Sequence, residues 1–148
     1  MPTLTTLTDF PVFGDLTREQ LMLLDATARD VRHRAGELLF TEGAPAWGCW
    51  LITSGEVELE TGAPGGGRLV IDTLGPGDVL GWSWLVAPHH WHHTAKARTD
   101  VTAVLLDTDR LKNFAATDPG LGYAVTKALF GVLLSRLQAT RARLAGGA

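Results

Sequence analysis

The sequence predicts a mainly β domain with helices at both ends. Short apolar runs such as "CWLI", "VELE" and "VTAVLLD" are separated by glycine-containing turn signals. These signals recur at intervals of about ten residues, which favours a sandwich, roll or barrel over a wound α/β sheet. In "GEVELE" Val57 and Leu59 alternate with glutamates, the two-residue period of a strand with one solvated face.

A first helix is predicted in the N-terminal segment, residues 1–30. Thr17 is a suitable N-cap, and Gln20 completes a capping box with it. Leu16 and Leu21 stand in the positions of a hydrophobic staple. The β region is expected to follow at residues 31–107.

Two helices are predicted in the C-terminal segment, residues 108–148. The stretch "DTDRLKNFAATD" favours a short helix. Asp118 and Pro119 then supply an N-cap and a first-turn proline for a long helix that ends near Leu144. Its basic residues are interpreted as complementing the helix dipole rather than as an anion site. They are Lys127, Arg136, Arg141 and Arg143.

The long helix is apolar over more than one stripe. One stripe comprises Leu121, Val125, Leu129, Val132 and Leu133, and a neighbouring one comprises Phe130, Leu134 and Leu137. A helix with two apolar stripes needs two surfaces to cover it. The β region accounts for the first surface. A second subunit is the preferred cover for the other, which predicts a homodimer, and a wider contact within the chain is the alternative.

Composition and the absence of motifs restrict the function. A length of 148 residues predicts one domain, and a net charge of -3 excludes a broad affinity for nucleic acid. No apolar run long enough for a membrane span and no secretory signal is found, so a cytoplasmic protein is expected. Cys49 is the single cysteine and is expected to be a buried structural thiol. Ser54, Ser83 and Ser135 lack a nucleophile-elbow context, so no enzyme is predicted.

The stretch "APHHWHHTAK" holds four of the five histidines. If it were a strand, His90 and His92 would share a face, and His33 would be the candidate third ligand of a metal site. A cupin would carry a glutamate within about five residues of the His-x-His pair and another histidine later in the chain; here no such glutamate follows, and no histidine occurs after His93. No metal is therefore predicted, and the preferred interpretation is a loop that faces a ligand.

The whole order of elements resembles the cyclic nucleotide-binding domain of the catabolite activator and kinase regulatory-subunit superfamily. The resemblance rests on "AGELLFTEGAPAWGCWLITSGEVELE", on "LGPGDVLGWSWL" and on "TAKARTDVTAVLLDTDRL". It implies a β-roll of the jelly-roll type, flanked by an N-terminal helix, a short helix and a long C-terminal helix. It also implies that residues 1–148 form a single, non-catalytic regulatory domain.

The phosphate-binding cassette departs from the family pattern. Relatives carry Glu after the cassette glycine, Gly81, and an Arg that pairs with the cyclic phosphate; here these positions are Trp82 and Trp91. Losing that guanidinium would cost about 2–5 kcal/mol of binding free energy. A protonated His92 or His93 would recover part of it, and the indoles would either line or fill the cavity. The resemblance places the ligand-binding residues at Gly81, Trp82, Ser83, Trp84, Trp91, His92, His93 and Thr94.

Two further features follow from the resemblance. "RLQAT" is similar to a segment of the catabolite activator's long helix, and implies a base contact at Thr140. No winged helix-turn-helix follows the long helix, so direct DNA binding is not expected and the signal is expected to pass to a protein partner. No cofactor is assigned: a cyclic nucleotide and another small apolar or aromatic molecule are the candidate ligands, and an indole-filled pocket without a ligand is the alternative. The predicted function is thus a regulatory module that does not bind cyclic AMP or cyclic GMP in the usual way. The alternative functions are a genuine cyclic-nucleotide receptor with a non-standard phosphate site and a metal-dependent β-barrel protein that uses the histidines.

Overall fold

A computed structural model describes Leu7, residues 10–81 and residues 90–146. The strands of the described residues form two four-stranded antiparallel sheets, with the orders β1-β8-β3-β6 and β2-β7-β4-β5. The strands are β1 Ala28–His33, β2 Leu38–Phe40, β3 Gly48–Ser54, β4 Val57–Gly62, β5 Arg68–Leu74, β6 Val79–Leu80, β7 Thr94–Ala97 and β8 Val101–Asp107. The sheets are the β-roll that the sequence predicted. The roll begins at Ala28 rather than at residue 31.

The core lies between the two sheets. Strand β3 is buried from Gly48 to Ile52, and β8 is buried over most of its length. Cys49 is fully buried in β3, as expected of a structural thiol. In β4 the apolar residues Val57 and Leu59 are buried, and Glu58 between them is more exposed.

One tight turn depends on glycine. Gly55, between β3 and β4, has φ +87°, and a Cβ at this position would lie 2.1 Å from the carbonyl oxygen of Asp100. Gly65, at the tip of the β4–β5 hairpin, has a similar φ of +83° but open space around it. The first position therefore needs glycine for both conformation and space, and the second for conformation alone.

The N-terminal segment contains a 3₁₀ helix, Pro11–Phe13, and helix α1, Arg18–Asp25. The predicted capping box is present: the Gln20 backbone N–H donates to Thr17 Oγ1 over 3.1 Å, and the Thr17 N–H donates to Gln20 Oε1 over 2.9 Å. Leu16 and Leu21 are both buried. This cap fixes where α1 begins.

The C-terminal segment contains helix α2, Thr108–Thr117, and helix α3, Pro119–Gly146. Asp118 Oδ1 accepts from the Leu121 N–H over 3.2 Å, as the predicted N-cap requires. Leu121, Val125 and Leu129 are buried, but Leu133, predicted on the same stripe, is 44% exposed. At about 100° per residue, Leu133 lies between Leu129 and the exposed Phe130 around the helix. Within the described residues, no helix is both long and apolar enough to span a bilayer.

Candidate functional site

The predicted cassette lies between β6 and β7. Gly81 follows β6 with φ +92°, and residues 91–93 lead into β7. Trp82, Ser83 and Trp84 lie outside the described residues, so their predicted roles remain predictions. The described part of the cassette is therefore Gly81 and the stretch from Trp91 to Thr94.

Trp91 is held in the core. Its backbone N–H donates to the Ala44 carbonyl over 2.9 Å, and its carbonyl accepts from the Gly43 N–H over 2.8 Å. The side chain is only 3% exposed. Its ring stacks on Phe40, with centroids 3.8 Å apart and planes 12° from parallel. The Trp91 indole therefore fills the cavity of the roll rather than lining it.

Trp50 and Trp47 join Trp91 and Phe40 in an aromatic cluster. The ring of Trp50, which is buried, lies 6.0 Å from that of Trp91 and 5.5 Å from that of Phe40. Trp47 meets Trp50 edge to face at 5.5 Å, and 42% of Trp47 is exposed. A Cβ on Gly81 would lie 3.0 Å from the Trp91 ring and from the Gly48 carbonyl oxygen. Gly81 therefore gives the indole its room.

Among the described residues, two buried polar atoms at this end of the roll have no hydrogen-bond partner. They are Trp91 Nε1 and His93 Nδ1. Burial lowers the pKa of His93, the nearby His92 lowers it further, and Glu42 opposes the shift. A histidine pKa below its usual value means a neutral ring at pH 7. His93 therefore does not replace the positive charge of the missing arginine at this pH.

The polar groups around Thr94 are already engaged. The Thr94 hydroxyl accepts from the Glu42 backbone N–H over 3.0 Å, and the threonine is buried. Across the β4–β7 pair Thr94 faces Glu60, whose carboxylate accepts from Arg68 Nε over 3.0 Å. Arg68 also lies 4.0 Å from Glu42. Two carboxylates thus neutralise the one guanidinium of this cluster, which leaves it unfavourable for a phosphate.

The structure does not bring the three candidate metal ligands together. His90 forms an isolated bridge with Pro45, whereas His33 lies at the end of β1. His33 Nδ1 pairs with Glu37, which lowers the pKa of that carboxyl, and His33 Nε2 accepts from Trp50 Nε1 over 3.3 Å. Among the described residues, no group of three His, Cys, Asp or Glu side chains is placed to hold a metal ion.

A groove of about 960 Å³ runs between α3 and the roll. Its walls are α3, the end of β5, the turn before β6 and the N-terminal 3₁₀ helix, and Thr140 is one of its lining residues. The described cassette residues, from Trp91 to Thr94, are not among them. The predicted base contact therefore lines a groove that the described cassette residues do not line. A volume of this size suits a small-molecule ligand.

An ion cluster closes one side of the groove. Arg136 on α3 pairs with Asp72 on β5, and its Nη1 lies 3.6 Å from Asp78 Oδ1 in the turn before β6. The prediction that Arg136 serves the helix dipole is therefore wrong, because its guanidinium is directed at two carboxylates of the roll. Sequence reasoning gave no role to Asp72, which stands in no recognisable motif, or to Asp78, which stands in the stretch "LGPGDVLGWSWL" but was not considered as a partner of α3.

Comparison with known proteins decides the family. The sequence profile of the cyclic nucleotide-binding domain matches residues 30–118, more than half of the chain. The chain belongs to this family. This cyclic nucleotide-binding domain is 28% identical over 134 residues to the CRP-like cAMP-activated global transcriptional regulator of Mycobacterium tuberculosis, covering 90% of the chain and 58% of the relative. The domain thus spans somewhat more than half the length of that relative.

Solved structures share the fold of this cyclic nucleotide-binding domain. A structure from Geobacter metallireducens described as a cyclic nucleotide-binding protein superposes with a TM-score of 0.84 and 26% identity, covering 93% of this chain and 99% of that one. The regulatory subunit of a cAMP-independent protein kinase A from Trypanosoma cruzi, bound to guanosine, has a TM-score of 0.66 and 20% identity. The superposition covers 72% of this chain and 38% of the kinase regulatory subunit. The predicted β-roll is confirmed.

Proposed function

We propose that this domain is a non-catalytic ligand sensor that does not hold a cyclic nucleotide in the usual way. The observation that carries the proposal is the position of Trp91, whose buried indole stacks on Phe40 at the place where relatives carry the phosphate-binding arginine. Without that guanidinium, about 2–5 kcal/mol of phosphate binding is lost. The neutral His93 and the paired Arg68 do not restore it at pH 7.

The groove is the proposed ligand site. Apolar and small side chains of α3 form much of its wall, and Thr140 offers a hydroxyl. Its acidic residues, Asp15, Asp72 and Asp78, equal its basic residues, Lys127, Arg136 and Arg143, in number. A groove without net charge gives an anion no general attraction. An uncharged, planar ligand of the nucleoside class fits these properties, and one relative of the same fold is described as bound to guanosine.

Melting temperatures test the proposal. Cyclic AMP and cyclic GMP at millimolar concentration are expected to leave the melting temperature unchanged, whereas guanosine or adenosine raises it. A ligand at 100 times its Kd adds about 2.7 kcal/mol to the free energy of unfolding. For a domain of this size that corresponds to roughly 5–11 °C. Thr140→Val, a change of similar volume, is expected to abolish the nucleoside shift.

The second candidate is a genuine cyclic-nucleotide receptor with a non-standard phosphate site. The observation in its favour is Thr140, which lines the groove at the position that the resemblance gives to the base contact. A shift of the expected size with cyclic AMP, confirmed by calorimetry, would replace the first proposal with this one. No shift with either class of ligand would refute both ligand assignments.

We also propose that α3 carries the output, through a homodimer and a protein partner in the cytoplasm rather than by direct DNA contact. Large apolar side chains of α3 remain exposed on one side of the helix, among them Phe130 at 62%, Leu137 at 54% and Leu144 at 72%. Exposed apolar surface of this extent on one element is typical of an interface. A second copy of α3 offers the matching apolar surface.

Sedimentation velocity tests the dimer. The wild-type chain is expected to sediment as a dimer, and Phe130→Glu, which places a charge in the centre of the apolar side, as a monomer. Gln138→Glu is the control, since it adds the same charge about 80° around the helix from Phe130. A monomeric wild type, or a dimer that tolerates Phe130→Glu as well as Gln138→Glu, would contradict this part of the proposal.

A further inference from the structure

Helix α3 is attached to the rest of the domain in two different ways. Its first part is anchored by apolar contacts, because Leu121, Val125 and Leu129 are each no more than 2% exposed. From Phe130 to Ala145 no residue is buried, and only Val132, Arg136 and Thr140 are half-buried. Within a single chain, the hydrophobic effect therefore fixes the first three turns and contributes little to holding the remainder against the roll.

The second part of α3 is tethered by ion pairs. Arg136 pairs with Asp72 of β5 and lies within 3.6 Å of Asp78, and Arg143 lies 4.0 Å from Asp72. The side chains of Arg136 and Asp72 are only 22% and 25% exposed, whereas Arg143 is 63% exposed. Arg136 is the better shielded cation and makes the closer contacts, so it contributes more to the tether.

The two carboxylates that pair with Arg136 are held in place by the roll. Asp72 lies within a strand that pairs with β4, opposite Leu59. Asp78 Oδ2 accepts from the Gly75 backbone N–H over 2.8 Å, which orients its carboxylate within the turn. The two acceptors thus belong to the rigid roll, and the donor belongs to a helix segment that has no apolar anchor buried within its own chain. Movement at this contact has to come from the helix.

The groove lies directly beneath this segment. Five of the α3 residues that line it are small, three of them in this segment: Ala124, Ala128, Gly131, Ser135 and Ala139. Small side chains leave a gap between helix and roll, which the guanidinium of Arg136 crosses. We propose that Arg136 is a positioning residue, an electrostatic latch that holds the second part of α3 over the groove and opens independently of the first part.

The latch requires no ligand, so it is tested on the full chain alone. Hydrogen exchange followed by mass spectrometry would compare peptides from residues 130–146 with peptides from residues 119–129 and from β3. Arg136→Gln is expected to speed exchange in the 130–146 peptides by about tenfold, with the other peptides unchanged. Raising the salt concentration is expected to have a smaller effect in the same direction on the wild type.

Two variants separate the latch from a general loss of stability. Arg136→Lys keeps the charge and is expected to restore most of the protection. Gln138→Glu changes the net charge of the same segment by the same amount, about 160° around the helix from Arg136, and is expected to change nothing. In a cycle with Asp72→Asn, the double variant is expected to exchange little faster than Arg136→Gln alone, because both changes remove the same ion pair.

Three results would overturn the inference. The first is a wild type whose 130–146 peptides are already unprotected, since the latch would then hold nothing. The second is equal acceleration by Gln138→Glu, which would mean that net charge and not the contact matters. The third is uniform acceleration in β3 and residues 119–129, which would make Arg136 a contributor to global stability. None of these results depends on whether the groove binds a nucleoside.

Discussion

Trp91→Ala is expected to lower the free energy of unfolding by about 3–5 kcal/mol, the usual cost of truncating a large buried aromatic side chain. The indole is 3% exposed and stacks on Phe40 at 3.8 Å, so its removal leaves a cavity in the middle of the roll. No hydrogen bond of the side chain is lost, because Nε1 has no partner. Thermal or denaturant unfolding measures the change.

The cavity gives this prediction a second measurement. A dry cavity lined by apolar and aromatic side chains binds small aromatic molecules. Added indole is therefore expected to raise the melting temperature of Trp91→Ala and to leave the wild type unchanged. Trp47→Ala is the control, since this residue also contacts Trp50 but is 42% exposed. Equal destabilisation by the two substitutions would mean that Trp91 does not fill the core.

Gly55→Ala is expected to be about as damaging as a core truncation. The positive φ of +87° costs a residue with a Cβ about 1–2 kcal/mol. The Cβ would also lie 2.1 Å from the Asp100 carbonyl oxygen, so either the turn or the neighbouring loop must move. Such overpacking adds about 1–3 kcal/mol.

Gly65→Ala separates these two contributions. Its φ of +83° is nearly the same, but a Cβ there would have no atom within 4 Å. It is therefore expected to cost only the conformational part, about 1–2 kcal/mol. Chemical denaturation gives the free energy of unfolding of both variants, and the difference between them is the cost of the close approach of the Gly55 turn to Asp100. If both variants lost the same stability, the clash would be relieved without cost.

The features that could be predicted from the sequence are those set by neighbouring residues. The capping box of Thr17 and Gln20 and the N-cap at Asp118 each involve residues three positions apart, and the structure contains both. The alternation in β4 likewise reflects local chemistry. The family resemblance then supplied the arrangement of these elements into a roll.

The features that could not be predicted depend on residues far apart in the chain. Arg136 and Asp72 are 64 positions apart, and no local pattern pairs them. Trp91 could be aligned with the cassette arginine, but whether it lined or filled the cavity depended on Phe40 and on the space left by Gly81. That Thr140 lines a groove which the described cassette residues do not line likewise depends on where α3 crosses the roll.

The aromatic cluster has an optical consequence. The rings of Trp50 and Trp91 are tilted by 53° at a centroid distance of 6.0 Å, close enough for their electronic transitions to interact. Near-ultraviolet circular dichroism arises from such fixed aromatic surroundings and disappears when packing loosens, even while strands persist. The interior of this domain therefore contains its own chromophore pair, and a spectrometer can follow the state of the core without an added label.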